Sequence, residues 1–379
     1  MLGKHLSGDA IGVANIESSR VSFSIVKVHS ENSASISATR YGELPLEERT
    51  SGQHLFALRQ RLLDIAKQTL SDYAKKTRTN SVKKIYAIVH APWAQGAVVR
   101  TMVTFPQETH ISAKIISDCA AKALSGARER PDYLGVQQLP IMLNGYRTAF
   151  PEGKYAHMVE VAALMSTCEE NVRREITVTL REAAPAAHSA LHSGASAIME
   201  TFEVMRPGLS DAVCMHVSGE GTEVIVVRDS IAENYFYIPE GLRTMLSRAF
   251  PKMRPEDART AVRMMQQQEG GDTGSAQTQE ALLMAEPEMA HAYGEGLAKI
   301  SAHMRLPNTL LLLADTDVAP WLQKFFQRID FSQFTATAQP FMVDVISASE
   351  FGSIDTSGEK NGDLDVAIAV SHIMHGEYR

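Results

Sequence analysis

DAVCMHVSGEGTEVIVVRDSIAENYFYIP, residues 211–239, reads as three short strands broken by a glycine-bracketed turn and by Asp229-Ser230. The segments 211–218, 221–229 and 231–239 are rich in β-branched and alternating apolar residues, so the spacing predicts an antiparallel meander. A helix, EGLRTMLSRAF (240–250), follows it. The same order stands near the other end of the chain. AIGVANIE (10–17), VSFSIVKVHS (21–30) and SASISATRY (33–41) read as strands. HLFALRQRLLDIAKQTLSDYAKK (54–76) then reads as a helix, its apolar residues at 55, 58, 62, 65, 66, 70 and 73 sharing one face. A recurring βββα unit predicts two lobes of one construction.

Each copy continues into a buried strand, KKIYAIVHAPW (83–93) in the first and NTLLLLADTD (308–317) in the second, and each carries an insertion. In the first, AVVRTMVTFP (97–106) reads as a strand stopped by Pro106, and ISAKIISDCAAKALSG (111–126) as a helix stopped by Gly126. A hairpin is expected at Asn144-Gly145, a strand over 154–166, a helix over 169–183, and a second helix at the end of 186–206. In the second, a helix over 254–268, a mobile EGGDTGSAQT loop (269–278) and a long helix to about Arg305 are expected. Helix 318–329, strand 341–347 and a closing helix 366–376 complete the reading.

At 379 residues, 44% apolar and 21% charged, the chain is a folded protein with more than one core in prospect. A net charge of −7 supplies no basic field, which removes nucleic acid from the expected partners. The first residues, MLGKHLSGDAIGV, lack the apolar stretch of a secretory signal, and the longest apolar run, LLLLA (310–314), is far short of a membrane span. A cytoplasmic protein without direct membrane insertion is expected. Cys119, Cys168 and Cys214 are isolated and odd in number, which points to buried small hydrophobes rather than a disulfide or metal framework.

The duplicated layout, with its first insert AVVRTMVTFPQETHISAKIISDCAAKAL (97–124), resembles the actin-like ATPase superfamily, in particular the branch of the division protein FtsA and the pilus-assembly protein PilM. In that branch a strand and a helix with an Ile-Ser/Thr-x-x-Asp/Lys-Ile start open the inserted subdomain. The resemblance implies an α/β, actin-like (ribonuclease H-like), duplicated two-lobed fold with an inserted α+β subdomain in the first lobe. Its expected parts are 1–96, the insert 97–182, 183–253, a helical insert 254–306, and 307–379. The chain ends at HIMHGEYR directly after the closing helix, where FtsA carries a membrane-targeting helix, and so resembles PilM more.

The superfamily's first phosphate hairpin reads Asp-Ile-Gly-Ser-Ser-x-Val, and here the matching residues are Asn15-Ile16-Glu17-Ser18-Ser19-Arg20-Val21. A carboxylate ~4 Å from a phosphate oxygen is repelled by roughly 4 kcal/mol at an effective dielectric near 20. The second hairpin, Asp-Ile-Gly-Gly-Gly-Thr-Thr-Asp, matches His216-Val217-Ser218-Gly219-Glu220-Gly221-Thr222-Glu223, and again a glutamate enters the turn. The adenosine loop keeps Pro320 but has Asp315 where the family has glycine, and Gly241 is what remains of the second lobe's glycine pair. The resemblance therefore implies a degenerate nucleotide site at Asn15, Ser18, Ser19, Gly219, Gly221, Thr222 and Gly241, with no catalytic residue and no cofactor; ATP with magnesium is the alternative.

The function implied is an actin-like scaffold or adaptor, a pseudo-ATPase linking a division or pilus machine at the membrane to the cytoplasm. The partner implied is a membrane-anchored protein, met through a short cytoplasmic tail, with self-association into filaments a further possibility. The rival reading is an ATP-dependent switch, and a small-molecule kinase of the same superfold lacks a recognisable general base. His188 and His192, and His372 and His375, have the spacing of helical metal ligands but no third ligand nearby, so no metal site is expected. The acids of EPEMAHAYGEG (286–296) read as a solvated face with Pro287 near a helix end, and the methionines near 264–265 and 284 as packing for the second lobe.

Overall fold

The computed structural model describes residues 10–30, 33–44, 50–78, 82–148, 150–267, 273–352, 354–355 and 363–378. Strands β1 (Ala10–Ile16), β2 (Arg20–Ser30) and β3 (Ser33–Glu43) form the first meander, and α1 (Ser51–Thr77) carries the chain to β4 (Lys84–Val89), parallel to β1. Helix α1 starts at a Thr50/Gln53 capping box and ends at Arg78 in the left-handed region, with Lys75 and Lys76 complementing its last turn. Next come β5 (Ala94–His110), α2 (Ala113–Ala123), β6 (Tyr133–Gln138), β7 (Ile141–Leu143), β8 (Tyr146–Thr148) and β9 (Tyr155–Cys168). These strands make a separate antiparallel sheet against which α2 packs. Asn144 and Gly145, both at positive φ, form the β7–β8 turn that the Asn-Gly pair predicts.

The chain returns through α3 (Glu170–Ala183), β10 (His188–Ser193) and α4 (Gly194–Met205) to the second meander, β11 (Ala212–Val217), β12 (Thr222–Arg228) and β13 (Ile231–Ile238). Helices α5 (Leu242–Ala249), α6 (Pro255–Gln267) and α7 (Thr273–Ser301) precede β14 (Thr309–Leu313), α8 (Ala319–Arg328), β15 (Met342–Val345), β16 (Ile354–Asp355) and α9 (Leu364–Tyr378). The first sheet runs β10-β4-β1-β2-β3-β16 and the second β15-β14-β11-β12-β13, so five strands of each follow one order and one set of directions. Burial explains why the central strands read as continuous apolar runs rather than alternating ones. In β1, Ile11 and Val13 face a core shared with the second sheet, while Ala14 and Ile16 face α1 and α3. In β11, Ala212 and Cys214 face the shared core, while Val213, Met215 and Val217 face α5 to α8. Helices α4 and α9 contribute to that shared core.

Several expectations are corrected. Pro106 does not end β5; the ladder to β9 breaks between Thr104 and Thr109, so the missing N–H costs no pairing there. HSALHS forms strand β10, which pairs with β4 in the first sheet, so the histidines at 188 and 192 do not share a helical face. Helix α3 packs mainly on α1, with Arg173 reaching the Tyr133 carbonyl oxygen of β6, and α9 packs against β1 and β2. Residues 273–278 of the expected loop are helical, and 269–272 lie outside the described residues. Pro287 sits inside α7, and Glu286 is buried against Arg328 rather than solvated. Met265 and Leu282 pack the second core, but Met264, Leu283 and Met284 are exposed.

Candidate functional site

The first turns of the two meanders face each other. In the β1–β2 turn the Glu17 N–H donates to Arg20 O at 2.9 Å, and in the β11–β12 turn Ser218 N–H donates to Gly221 O at 2.9 Å. The turns touch: Ser18 Oγ accepts from the Glu220 N–H at 3.0 Å and lies 3.4 Å from Ser218 Oγ. Asn15, Ser18 and Ser19 are 1–2% exposed, and Gly219, Gly221, Thr222 and Gly241 are buried. The seven residues read from sequence as a nucleotide site thus lie in or beside two turns packed on each other. The amides at the start of α5, the natural seat for a phosphate, are already used: Leu242 N–H donates to Ser218 O and Arg243 N–H to Gly219 O, both at 2.9 Å. Gly241 permits this approach, since a Cβ there would stand 2.3 Å from the Gly221 nitrogen. Thr222 Oγ1 is spent on Glu240 O and the Tyr293 hydroxyl, both at 2.8 Å. Glu220 does not point at an open phosphate position; Arg243 binds both its oxygens, at 3.0 and 3.3 Å.

Beneath the turns lies a buried ionic network. The Arg20 guanidinium, at the start of β2, stands 2.9 Å from Asp315, 2.8 Å from Asp363, 3.2 Å from Asp365 and 3.8 Å from Glu17. Asp315, just after β14, also binds Arg259 of α6 at 2.8 Å, and Arg259 forks onto Asp317 at 2.9 Å. The side chain expected to intrude on an adenosine site is therefore the bridge between two cations. Burial, with Asp365 beside it, raises the Glu17 carboxyl well above its usual range. Burial likewise lifts Asp363 to about 6, against the pull of Arg20.

A second chain of contacts runs from sheet to sheet. His90, which follows β4, places Nε2 3.0 Å from Asn15 Oδ1 and Nδ1 3.3 Å from Glu223 Oε2. His216 places Nδ1 3.2 Å from the same Glu223 oxygen and Nε2 3.3 Å from Asp365 Oδ1. Tyr235 donates to Glu223 Oε1 at 3.0 Å. His90, His216 and Glu223 are 1–3% exposed. Burial works against the Glu223 carboxylate, but contacts with His216 and His90 outweigh it and bring its pKa down to about 2. Burial also opposes charge on His216, yet Asp365 and Glu223 hold it well above the usual imidazole value. Sequence reading matched His216 and Glu223 to the second hairpin but gave no signal for His90, whose segment VHAPW carries no pattern.

Elsewhere a cavity of about 480 Å³ opens between β6 of the inserted sheet and β10 of the first, with α4 and α9 as its floor. Among the described residues β6 pairs only with β9 and β10 only with β4, so two strand edges flank it. His192 Nδ1 and His372 Nε2 meet at 3.0 Å, and His372 Nδ1 lies 2.6 Å from Glu200. One histidine of each spaced pair comes together here. Burial and the neighbouring His372 lower the His192 pKa to about 4. Ser166 Oγ lies 2.6 Å from Ser193 Oγ and 3.2 Å from Ser196 Oγ, and Gln137 Oε1 has no hydrogen-bond partner among the described residues.

Sheet order, shared core and facing hairpins give an α/β fold consistent with the actin-like class. No family model matches the chain, and no curated protein matches it. Among solved structures, it is similar to a chain of a PilM-PilN type IV pilus biogenesis complex, with a TM-score of 0.57, 14% identity, and coverage of 97% of this chain and 98% of that one. The ethanolamine utilization protein EutJ from Carboxydothermus hydrogenoformans matches at TM-score 0.46 and 11% identity, over 91% of this chain and 87% of that one. A Bacteroides thetaiotaomicron protein of unknown function with an actin-like ATPase fold matches at TM-score 0.41 and 10% identity, over 98% and 99%. No helix among the described residues is long and apolar enough to cross a membrane.

Proposed function

We propose that this chain is an actin-like scaffold or adaptor, a pseudo-ATPase of duplicated two-lobed build that serves a membrane-associated machine through protein contacts. The observation that carries the reading is the contact of Ser18 with Ser218 and the Glu220 amide: the space between the turns, where a nucleotide's phosphates would lie, is occupied by the protein itself. A nucleotide would have to part the turns, free the α5 amides and share the site with Glu17, Asp315 and Asp363. Binding energy would be spent on that opening before any contact is gained.

The groove between β6 and β10 suits the partner role. Two strand edges offer backbone hydrogen bonds to an extended peptide, a recognition mode that needs no nucleotide. In this reading the inserted sheet forms one wall and a short tail of a membrane-anchored protein is the occupant. The pairing named in the PilM-PilN structure supports a pilus-type machine over a division one.

Site-directed photo-crosslinking tests this. A crosslinker at Gln137 in native membranes is expected to capture the cytoplasmic tail of a membrane-anchored protein, while one at exposed Met284, far along α7, is not. Capture at Met284 with none at Gln137 would contradict the assignment of the groove.

A further inference from the structure

We propose that His90, His216 and Glu223 form a binding site for one divalent cation of the zinc type, joining the first sheet to the second. The side chains come from both halves of the molecule: His90 follows β4, while His216 and Glu223 lie opposite each other on β11 and β12. One donor atom from each lies within 4.8 Å of the other two, and both Nδ1 atoms stand 3.2–3.3 Å from Glu223 Oε2.

The hydrogen bonds behind the histidines decide what those atoms can be. Asn15 Nδ2 donates to Glu17 Oε1 at 3.2 Å, which turns Asn15 Oδ1 toward His90 Nε2 as an acceptor. His90 Nε2 therefore carries the proton. His216 Nε2 stands 3.3 Å from Asp365 Oδ1, an ion-pair contact that favours a proton on that nitrogen. Each Nδ1 then faces the same carboxylate oxygen, either as a second N–H donating to it or, once that proton is given up, as a lone pair beside it. Three lone pairs converging in a dry interior require a positive centre among them. Either each ring takes a second proton, or one cation serves all three.

Distance and charge favour the cation. The separations of 3.3 and 3.2 Å from Glu223 Oε2 are long for charge-assisted hydrogen bonds, which run at about 2.7–2.9 Å. They match the edge of a tetrahedron around zinc, about 3.3 Å when metal–ligand bonds are about 2.0–2.1 Å. Around this spot stand Asp315, Asp365 and Glu223, with Arg20 and a share of Arg259 for compensation, beside Glu17 and Asp363, whose carboxyls burial pushes toward the protonated form. Two imidazoles and a carboxylate are a donor set suited to zinc, and the partners behind them have the form that orients metal ligands. Asn15 and Asp365 fix the rings, and Tyr235 occupies Glu223 Oε1, leaving Oε2 to bind. The neighbouring set of Glu17, His216 and Asp365 is less apt, because Arg20 already neutralises Asp365 and Asn15 donates to Glu17. The site rests on this side-chain geometry and stands or falls apart from the peptide-scaffold reading.

Elemental analysis of the full chain, purified without metal-affinity resin, is the test. One equivalent of zinc per chain is expected. After chelation and dialysis, returning zinc should raise the melting temperature, and cobalt should give the strong visible absorption of a four-coordinate ion. His90→Gln and Glu223→Gln should lose the metal, while His291→Ala, at an exposed helix position, should retain it. A wild-type chain that binds neither zinc nor cobalt stoichiometrically would show that protons occupy the spot and overturn the site. Full binding retained in both His90→Gln and Glu223→Gln would overturn it as well.

Discussion

The space between the first and second sheets and the space between the first and inserted sheets have opposite characters. In the former, Arg20, Asp315, Asp365 and the His90–Glu223–His216 chain tie the walls together, and the turns above are packed shut. In the latter, a 480 Å³ cavity remains between the edges of β6 and β10, which are unpaired on that side among the described residues. The chain's own side chains fill the space between the first and second sheets, while the lateral groove stays open.

The largest expected effect comes from breaking the closed region. Arg20→Met leaves Asp315, Asp363 and Asp365 without their shared cation, and loss of one partner of a buried ionic set costs about 3–5 kcal/mol. Urea unfolding should show this loss, and a change under ~1 kcal/mol would mean the network does not close the cleft.

The two regions should also answer differently to acid. His192, in the groove, has its pKa lowered from 6.5 to about 4, so the unfolded chain binds the proton first as pH falls. Its contribution to stability is full above pH 6.5 and is lost between 6.5 and 4, on the order of 2–3 kcal/mol. Glu223, in the cleft, has its pKa lowered from 4.5 to about 2, so its contribution is lost only below pH 4.5. Asp363, raised from 3.8 to about 6, acts in the opposite sense and gains stability as pH falls through that window. The wild-type minus His192→Gln difference, in which Asp363 cancels, should slope between pH 6.5 and 4; a flat difference would refute the groove's pH response.

A smaller effect is expected at the turn. Gly241→Ala drives a Cβ into the backbone at Gly221, which must shift, at about 1–3 kcal/mol by thermal unfolding. The smallest belongs to Glu220→Gln. Its partner Arg243 is part-exposed, so the pair contributes roughly 0.2–1 kcal/mol, and a larger loss would show that Glu220 takes part in closing the cleft.

Sequence periodicity made the two meanders, α1 and the Asn144-Gly145 turn legible, because burial on both faces and turn chemistry leave local marks. Glu17, Glu220 and Asp315 stood out in the sequence against the hairpins and loop it resembles. What they do there was not legible, because it depends on residues far apart in the chain: Arg20 meets Asp315 and Asp365, and His90 meets Glu223. Strand β10 was hidden for a related reason. HSALHS has little β-branched character and becomes a strand through its pairing with β4. The return of α9 to the first sheet leaves no local mark at all.

The central claim is that the cleft is closed by the protein's own side chains and takes no nucleotide. Isothermal calorimetry of the full chain with ATP and magnesium up to millimolar concentration tests it most directly. No heat of binding and no change in melting temperature are expected; saturable binding in the micromolar range would contradict the account.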